Sequence, residues 1–291
     1  MNIRSVYILL KKLNPMQHPI YPCLWFNTEA QQATEFYCTV FNNTSILASN
    51  PMVTTFRLDG LKIMGLNGGP MYKKTQSVSL YVYAGNEEEI TRLYKLLSEN
   101  GKVMMPLDSY TWSPKYAWVE DQFGNSWQLD VKDIEGTQKI VPCLLFANEK
   151  MGFVKKAIDH YISIFKDASI RFEAPYQMEA GLEIDTLLFA QYTLNGTIFQ
   201  AMSSSIAHDF DFTPGNSFVI DCDTQDEIDH YWEKLGENGR YDRCGWLADD
   251  FGVSWQIVPT CLSKLIAEKG EAVIEAFMKM QKFDIKTLEE A

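Results

Sequence analysis

A seven-residue segment occurs twice in the chain and limits the folds that the chain can adopt. Residues 123–129 read FGNSWQL, and residues 251–257 read FGVSWQI. A tryptophan lies five residues before each copy, at Trp118 and Trp246, and an aspartate lies two residues before each copy. Because the matching positions include rare residue types at the same spacing, we interpret the chain as an internal duplication.

The same order of predicted strands and helices surrounds both copies. In the first half, the pattern predicts a strand over residues 21–26, a helix over 29–41 and a hairpin turning at 59–60. A further strand and a helix over 87–98 follow, and more strands continue to residue 131. From Ile140 the pattern restarts. Each half therefore contains two modules with the order strand, helix, three strands.

Length and pattern divide the chain into two similar domains and a tail. We predict an N-terminal extension with no part in the fold over residues 1–18 and a first domain over 19–133. A second domain covers 140–260 and a helical tail covers 261–291. The short linker favours domains that pack on each other. The spacing of apolar residues predicts that the tail helices pack on the domains, with a dimerisation arm as the alternative.

Composition argues against several classes of partner. The chain has 26 basic and 38 acidic residues and a net charge of -12, which argues against nucleic acid and anionic membrane surfaces. No apolar segment approaches the roughly 20 residues of a membrane-spanning helix, and the N-terminus lacks a signal-peptide cleavage site. Six cysteines without a CxxC pair indicate free thiols in a reducing compartment. We therefore expect a cytoplasmic protein without nucleic-acid or membrane partners.

The repeated modules resemble the vicinal oxygen chelate superfamily, which includes glyoxalases, bleomycin-resistance proteins and extradiol dioxygenases. Within it, residues 22–26 (PCLWF), 36–37 (FY), 66–70 (LNGGP) and 246–256 (WLADDFGVSWQ) are similar to the PhnB-like branch. Members of that branch often carry the label of a demethylubiquinone 3-methyltransferase domain. The resemblance extends over nearly all of the chain from Tyr21 onward.

This resemblance implies an α+β fold with two tandem glyoxalase-like domains and a C-terminal helical tail. Each domain would contain two βαβββ modules whose eight strands curl into a half-open barrel with a concave cavity. In single-domain relatives two chains pair, so the resemblance implies a pseudo-dimer within this one chain. A homodimer of the whole chain is a further possibility that the sequence leaves open.

The last strand of each domain carries the argument about metal binding. The two-residue period puts Ser126, Gln128 and Asp130 on one face, which the resemblance places in the cavity. Metal-using relatives have a glutamate where this chain has Gln128 and Gln256. A neutral amide oxygen is a poorer ligand than a carboxylate for zinc, iron or manganese. The sequence therefore predicts that the metal site of these relatives is absent.

The first and fifth strands of each domain support the same expectation. Relatives usually have histidine ligands on these strands, whereas this chain has only cysteine and serine there, at Cys23, Ser79, Cys143 and Ser217. We expect no metal and no cofactor. The methyltransferase label also lacks support in the sequence, since no glycine-rich turn typical of a nucleotide-like cofactor site is found.

The candidate ligand-binding residues lie on the predicted concave faces or at their walls. They are Cys23, Trp25, Ser79, Trp118, Gln128, Cys143, Ser217, Trp246 and Gln256. Each also has a purely structural interpretation: the glutamines could satisfy buried backbone groups, the cysteines could fill small apolar spaces, and the tryptophans could pack in a core. Two other tryptophans, Trp127 and Trp255, are predicted to be core residues.

Three functions remain open on the sequence. The preferred one is a metal-free protein that binds or sequesters a small amphipathic or aromatic molecule, as bleomycin-resistance relatives do. The second is a lyase, dioxygenase or methyltransferase with a non-standard site, so enzymatic activity stays undecided. The third is an interaction module whose cavities are filled by side chains.

Overall fold

The computed structural model describes residues 18–132, 138–176 and 186–291. The predicted N-terminal extension lies outside the described residues except for His18, as does the middle of the linker between the repeats. In the first repeat the elements are β1 (Tyr21–Phe26), α1 (Ala30–Val40), β2 (Thr44–Ser49), β3 (Val53–Leu58), β4 (Leu61–Asn67), β5 (Val78–Ala84), α2 (Glu87–Ser98), β6 (Lys102–Tyr110), β7 (Ser113–Glu120) and β8 (Ser126–Val131).

The second repeat follows the same order and leads into the tail. Its elements are β9 (Ile140–Phe146), α3 (Val154–Ile164), β10 (Ala168–Pro175), β11 (Leu187–Leu194), β12 (Thr197–Ser203), β13 (Asn216–Cys222), α4 (Gln225–Gly236), β14 (Arg240–Tyr241), β15 (Trp246–Ala248) and β16 (Ser254–Pro259). The tail contains α5 (Leu262–Lys269), α6 (Glu271–Met278) and α7 (Ile285–Glu290). The predicted α+β fold with two βαβββ modules per repeat and a helical tail is confirmed.

The strands form two sheets, and each sheet combines modules from both repeats. Sheet A has the order β14-β15-β16-β13-β1-β4-β3-β2, and sheet B has the order β10-β11-β12-β9-β5-β8-β7-β6. The sequence analysis expected the eight strands of one repeat to share a half-open barrel. Instead, β1 pairs antiparallel with β13, and β5 pairs antiparallel with β9.

This pairing has a physical reason. Within its own module, β1 hydrogen-bonds only to β4, and β5 only to β8, so each would present one unpaired edge. Both strands are almost entirely buried, which makes an unpaired row of backbone N–H and C=O groups costly. β1 pairs with β13 and β5 pairs with β9, each the first strand of a module in the other repeat, and this pairing satisfies both edges.

Each of the two large hydrophobic cores, in contrast to the sheets, is formed mainly by one repeat. In the first repeat one core contains Leu24 and Phe56 from sheet A together with Leu80 and Trp127 from sheet B. Helices α1 and α2 contribute to it through residues such as Tyr37. Each repeat therefore joins the two sheets through its helix-covered side, and the opposite, concave faces combine residues from both repeats.

The duplicated segment holds each repeat together around a buried aspartate. In the second repeat the Asp249 carboxylate accepts hydrogen bonds from the backbone N–H groups of Phe251 at 2.9 Å and Val253 at 3.0 Å. It also accepts them from the Tyr161 hydroxyl at 2.7 Å and the Trp255 indole at 2.8 Å. The carboxylate thus ties a helix, a turn and a strand to one point.

The first repeat has the same arrangement. There Asp121 accepts from the Tyr37 hydroxyl and from the Trp127 indole, both at 2.7 Å. Trp127 and Trp255 are 0% and 1% exposed, so their prediction as core residues is confirmed. The most conspicuous motif in the sequence is therefore a structural device, and its role in any function is to orient the strand that follows it.

The C-terminal tail packs on the second repeat. The Cys244 N–H donates to the Met280 carbonyl at 2.9 Å, and the Gln225 side chain donates to the Phe283 carbonyl at 3.0 Å. Phe283 and Val273 are buried in the core of the second repeat. The predicted packing is confirmed. In the part of the chain that the structure describes, no helix is long and apolar enough to span a membrane.

Candidate functional site

The strand register gathers the nine predicted residues into two clusters, one on each concave face. On sheet A, Cys23 lies opposite Ser217, and Trp246 lies opposite Gln256. On sheet B, the register places Cys143 opposite Ser79 and Trp118 opposite Gln128. Each cluster thus takes its cysteine from one repeat and its serine, glutamine and strand tryptophan from the other, an arrangement that the sequence analysis did not foresee.

On sheet B, the side-chain amide of Gln128 is fully occupied by neighbouring groups. Its Nε2 donates to the Ser79 hydroxyl at 2.7 Å, and its Oε1 accepts from the Tyr116 hydroxyl at 2.6 Å. Gln128 is 2% exposed. Both ends of the amide already have protein partners and the side chain is buried, so little of its hydrogen-bonding capacity is available to a ligand.

Further side chains fill the remainder of the sheet B face. The Tyr81 hydroxyl donates to Asp130 Oδ2 at 2.8 Å, and the Gln200 amide donates to the Tyr83 hydroxyl. All four side chains are buried. Burial together with the neighbouring Asp130 carboxylate raises the pKa of Tyr81 well above its ordinary value, so this tyrosine stays neutral. The sheet B face is therefore a packed polar and aromatic layer.

Trp118 lies at the margin of this layer. Its indole N–H donates to the Ser126 hydroxyl at 2.8 Å, and its ring contacts His208 and Phe210 at centroid distances of 6.4 and 6.5 Å. The side chain is half-buried. Trp118 thus closes the sheet B face together with a loop of the second repeat.

Sheet A has smaller side chains at the equivalent positions. Val219 stands where sheet B has Tyr81, and Val258 stands where it has Asp130. On this face Val258, Met64 and Leu66 are only half-buried. Part of the sheet A face is therefore exposed at these three side chains.

Three half-exposed aromatic rings border this surface, and we call Trp25, Tyr72 and Trp246 the aromatic wall. The Trp25 ring meets Tyr72 at a centroid distance of 4.9 Å and Trp246 at 5.9 Å, in both cases edge to face. The Trp25 indole N–H donates to the Gly69 carbonyl at 2.7 Å, which fixes the ring. Sequence reasoning identified the two tryptophans and missed Tyr72, which lies in a loop without periodicity.

Gly68 explains why a glycine pair follows β4. A Cβ atom added at Gly68 would lie 2.0 Å from the Trp25 ring, so only glycine lets the backbone lie against the indole. The backbone at Gly68 is therefore the surface on which the Trp25 ring rests.

The side chains between the two concave faces are closely packed. The Gln256 amide donates to the Ser217 hydroxyl at 2.9 Å. Near Cys23, Ser79 and Ser217, a space of about 10 Å³ remains, which accommodates about one water molecule. These residues lie beneath the accessible surface of sheet A, and their contact with a ligand stays a prediction.

Comparison with known protein families identifies the family of this chain. The family model described as 3-demethylubiquinone-9 3-methyltransferase matches residues 18–130 and again residues 138–258. The chain belongs to this family. The PhnB-like resemblance and the tandem duplication inferred from the sequence are thereby confirmed. No curated protein is similar enough to the chain to count as a match.

Solved structures of two other proteins are also similar to this chain. The putative 3-demethylubiquinone-9 3-methyltransferase, PhnB protein, from Bacillus cereus is 31% identical over 38% of this chain and 98% of its own, with a TM-score of 0.37. Glyoxalase I from Zea mays is 10% identical over 87% of this chain and 96% of its own, with a TM-score of 0.55. The likeness to glyoxalase I shows the fold alone.

The residues at the glyoxalase-like site do not fit a divalent metal. The donors there are thiol, hydroxyl and amide groups, and burial raises the pKa of Cys23 and of Cys143 to about 12. At neutral pH neither cysteine is a thiolate, the form that binds metals. Within residues 18–132, 138–176 and 186–291, no three His, Cys, Asp or Glu side chains are grouped closely enough to hold a metal ion.

The strand-to-helix turns do not fit a nucleotide-like cofactor either. Between β1 and α1 the sequence is Asn27-Thr28-Glu29, and between β5 and α2 it is Gly85-Asn86. A glycine-rich turn that lets backbone N–H groups surround a phosphate is found at neither position. We derive no catalytic step through a metal or such a cofactor.

Proposed function

We propose that the protein binds a flat aromatic or amphipathic small molecule, without a metal, on the concave face of sheet A. The aromatic wall is the observation that supports this proposal most directly. Its three rings are held in defined orientations yet remain half-exposed, which suits stacking or edge-to-face contact with a planar ligand. Met64 and Leu66 add apolar surface next to the rings.

We further propose one binding face per chain. On sheet B the Gln128 amide and the Asp130 carboxylate already have protein donors and acceptors. A ligand there would have to replace these bonds in a buried environment, where unpaired polar groups are costly. We therefore propose that side chains fill the cavity of sheet B and that the ligand binds on sheet A.

The chemistry of the site supports a proposal of binding in place of methyl transfer. The accessible face offers aromatic, thioether and aliphatic groups, and its polar members Gln256 and Ser217 hydrogen-bond to each other. None of these groups is an activated base or nucleophile. We place the protein in the cytoplasm, because all six cysteines are free thiols.

A matched pair of tryptophan variants tests the proposal. Isothermal titration calorimetry with a panel of aromatic, quinone and cationic compounds would identify a compound that binds saturably to the wild-type protein. Trp246→Ala should then weaken binding about tenfold or more, since each aromatic contact contributes roughly 0.5–1.5 kcal/mol beyond the buried area. Trp118→Ala, the equivalent change on sheet B, should leave the affinity within about twofold.

Three results would count against this function. The panel could show no saturable binding, or both variants could lose affinity equally, which would mean that the aromatic wall is not the site. A requirement for added zinc, iron or manganese, removed by a chelator, would contradict metal-free binding. Chemical turnover of the bound compound would show that the protein is an enzyme.

A further inference from the structure

A cavity of about 190 Å³ lies at the other end of sheet A, away from the aromatic wall. It is bordered by the turn between β3 and β4, by the turn between β11 and β12, and by the residues that precede β1. Its apolar lining includes Ile20 and Leu61. A cavity of roughly 150 Å³ is enough for a benzene molecule, so this space accommodates a small organic compound.

Three basic side chains, Arg57, Lys62 and His18, and the Asp221 carboxylate also line this cavity. His18 Nε2 lies 3.0 Å from Asp223 Oδ1. Lys62 Nζ lies 3.1 Å from Asp221 Oδ2 and 3.6 Å from the centre of the Tyr21 ring. The Tyr21 hydroxyl donates to Asp221 Oδ1 at 3.0 Å. Lys62 and Asp221 therefore neutralise each other, and both oxygens of the carboxylate have a partner.

Arg57 is the basic group without a carboxylate partner. Its Nη1 donates a weak hydrogen bond to the Gly60 carbonyl at 3.5 Å. Among the residues that the structure describes, no carboxylate lies within 4 Å of its guanidinium group. Because a guanidinium group has five N–H donors in a planar fork, most of its hydrogen-bonding capacity is available to a ligand.

The other polar side chains of the lining have partners within the protein. Gln138 donates to the Ile140 and Ile198 carbonyls and accepts from the Ile198 N–H at 2.9 Å. The Thr197 hydroxyl donates to the Ile20 carbonyl at 2.6 Å. These groups shape the cavity and leave Arg57 as the group that points to a ligand.

The second repeat lacks the same charges. The hairpin that contains Arg57 and Lys62 corresponds to the β11–β12 hairpin, where Thr193 and Ile198 stand at the equivalent positions. The two strand charges at the cavity thus come from the first repeat alone. Duplication of the fold did not require these two charges, so the repeat architecture does not explain them.

We propose that this cavity binds a small organic monocarboxylate, with Arg57 as the residue that holds the carboxylate group. With His18 neutral, Arg57 and Lys62 against Asp221 leave a net charge of one positive among the lining residues, which suits a monoanion better than a phosphate dianion. The apolar lining suits an organic body of about the size of benzoate. The chain as a whole has a net charge of -12, but charges far from the cavity are screened by salt.

Calorimetric titration of the full-length chain with sodium benzoate tests this site. We expect saturable binding of benzoate and binding at least tenfold weaker for benzyl alcohol, which has a similar size and no charge. Arg57→Gln should weaken benzoate binding by about tenfold to a hundredfold, because a hydrogen bond between charged groups is lost. Arg57 is exposed, so the substitution should not disturb folding.

Arg171→Gln is the matched control. Arg171 is also an exposed arginine on a strand, its Nε donates to the neutral Gln191 side chain at 3.1 Å, and it lies on sheet B. This variant should bind benzoate within about twofold of the wild type, as should Trp246→Ala. Loss of benzoate binding in Trp246→Ala but not in Arg57→Gln would place the compound at the aromatic wall and overturn the proposal.

Inorganic phosphate supplies the last comparison. Tighter binding of phosphate than of benzoate would overturn the assignment of a carboxylate ligand. If Arg57→Gln and Arg171→Gln weaken benzoate binding equally, the effect comes from net charge in general and the proposed role of Arg57 is refuted. The absence of saturable benzoate binding would refute the site as well. Since the cavity and the aromatic wall are tested with different compounds and variants, failure of one does not imply failure of the other.

Discussion

Two buried tyrosines of the second repeat provide a test of how the aspartate at the duplicated segment stabilises the fold. Tyr161 and Tyr192 are both 0% exposed, and their rings stack at a centroid distance of 6.5 Å. The Tyr161 hydroxyl donates to Asp249 at 2.7 Å. The Tyr192 hydroxyl has no hydrogen-bond partner among the described residues. The same chemical change, tyrosine to phenylalanine, should therefore have opposite consequences at the two positions.

The expected magnitudes follow from these contacts. Tyr161→Phe removes one hydrogen bond to a charged group and leaves Asp249 with three donors, so the free energy of unfolding should fall by about 1.5–3 kcal/mol. Tyr192→Phe removes a buried hydroxyl without a partner, so we expect no loss and a gain of up to about 1 kcal/mol. For a chain of this size the melting temperature of Tyr161→Phe should lie roughly 3–10 °C below that of Tyr192→Phe.

Thermal and urea unfolding followed by circular dichroism measure this difference. The first repeat supplies an internal repetition, because the Tyr37 hydroxyl donates to Asp121 at 2.7 Å and Tyr37→Phe should behave like Tyr161→Phe. Equal destabilisation by Tyr161→Phe and Tyr192→Phe would refute the reasoning. It would mean that packing of the rings, and not the bond to the aspartate, determines the cost.

Three further predictions concern pH, assembly and the aromatic wall. Burial raises the pKa of Asp249 to about 6, so the folded state holds this proton more tightly than the unfolded chain, and stability falls as pH rises from 4 to 6. Asparagine does not titrate, so the free energy of unfolding of the wild type should fall by up to about 3 kcal/mol relative to that of Asp249→Asn over this pH range. An unchanged difference between the two proteins would contradict this reasoning. A fragment of residues 18–132 should form a homodimer in light scattering, because β1 and β5 lose their antiparallel partners, and a stable monomer would disprove this pairing argument. Gly68→Ala should displace the Trp25 ring, lower stability by about 1–3 kcal/mol and change the near-UV circular dichroism, whereas Gly85→Ala, whose added atom has no neighbour closer than 3.5 Å, should not.

Much of the candidate site was predictable from alternation along strands. The two-residue period correctly separated Ser126 and Gln128 from Trp127, because successive side chains of a strand point to opposite faces. The period alone does not show what lies opposite a residue on a neighbouring strand. It therefore gave no sign that Tyr116 and Ser79 occupy the Gln128 amide, or that Tyr72 completes the aromatic wall.

The pairing of modules also required the tertiary structure. Local sequence predicts that β1 and β13 are strands, since their apolar residues and flanking turns are local features. Which strand lies beside β1 depends on which unpaired edge is within reach, and both repeats offer similar edges. The modules share the same local pattern of strands and helices. That pattern alone does not specify whether two modules pair within a repeat or between repeats.

The sequence by itself determined the duplication, the βαβββ modules and the core tryptophans. These features depend on residue type and spacing within a short segment. Only the tertiary structure decided that each sheet combines modules from both repeats, that sheet A has valines where sheet B has Tyr81 and Asp130, and that Arg57 lines a cavity. Those outcomes depend on side-chain volumes and hydrogen bonds between residues far apart in the chain, which no local pattern records.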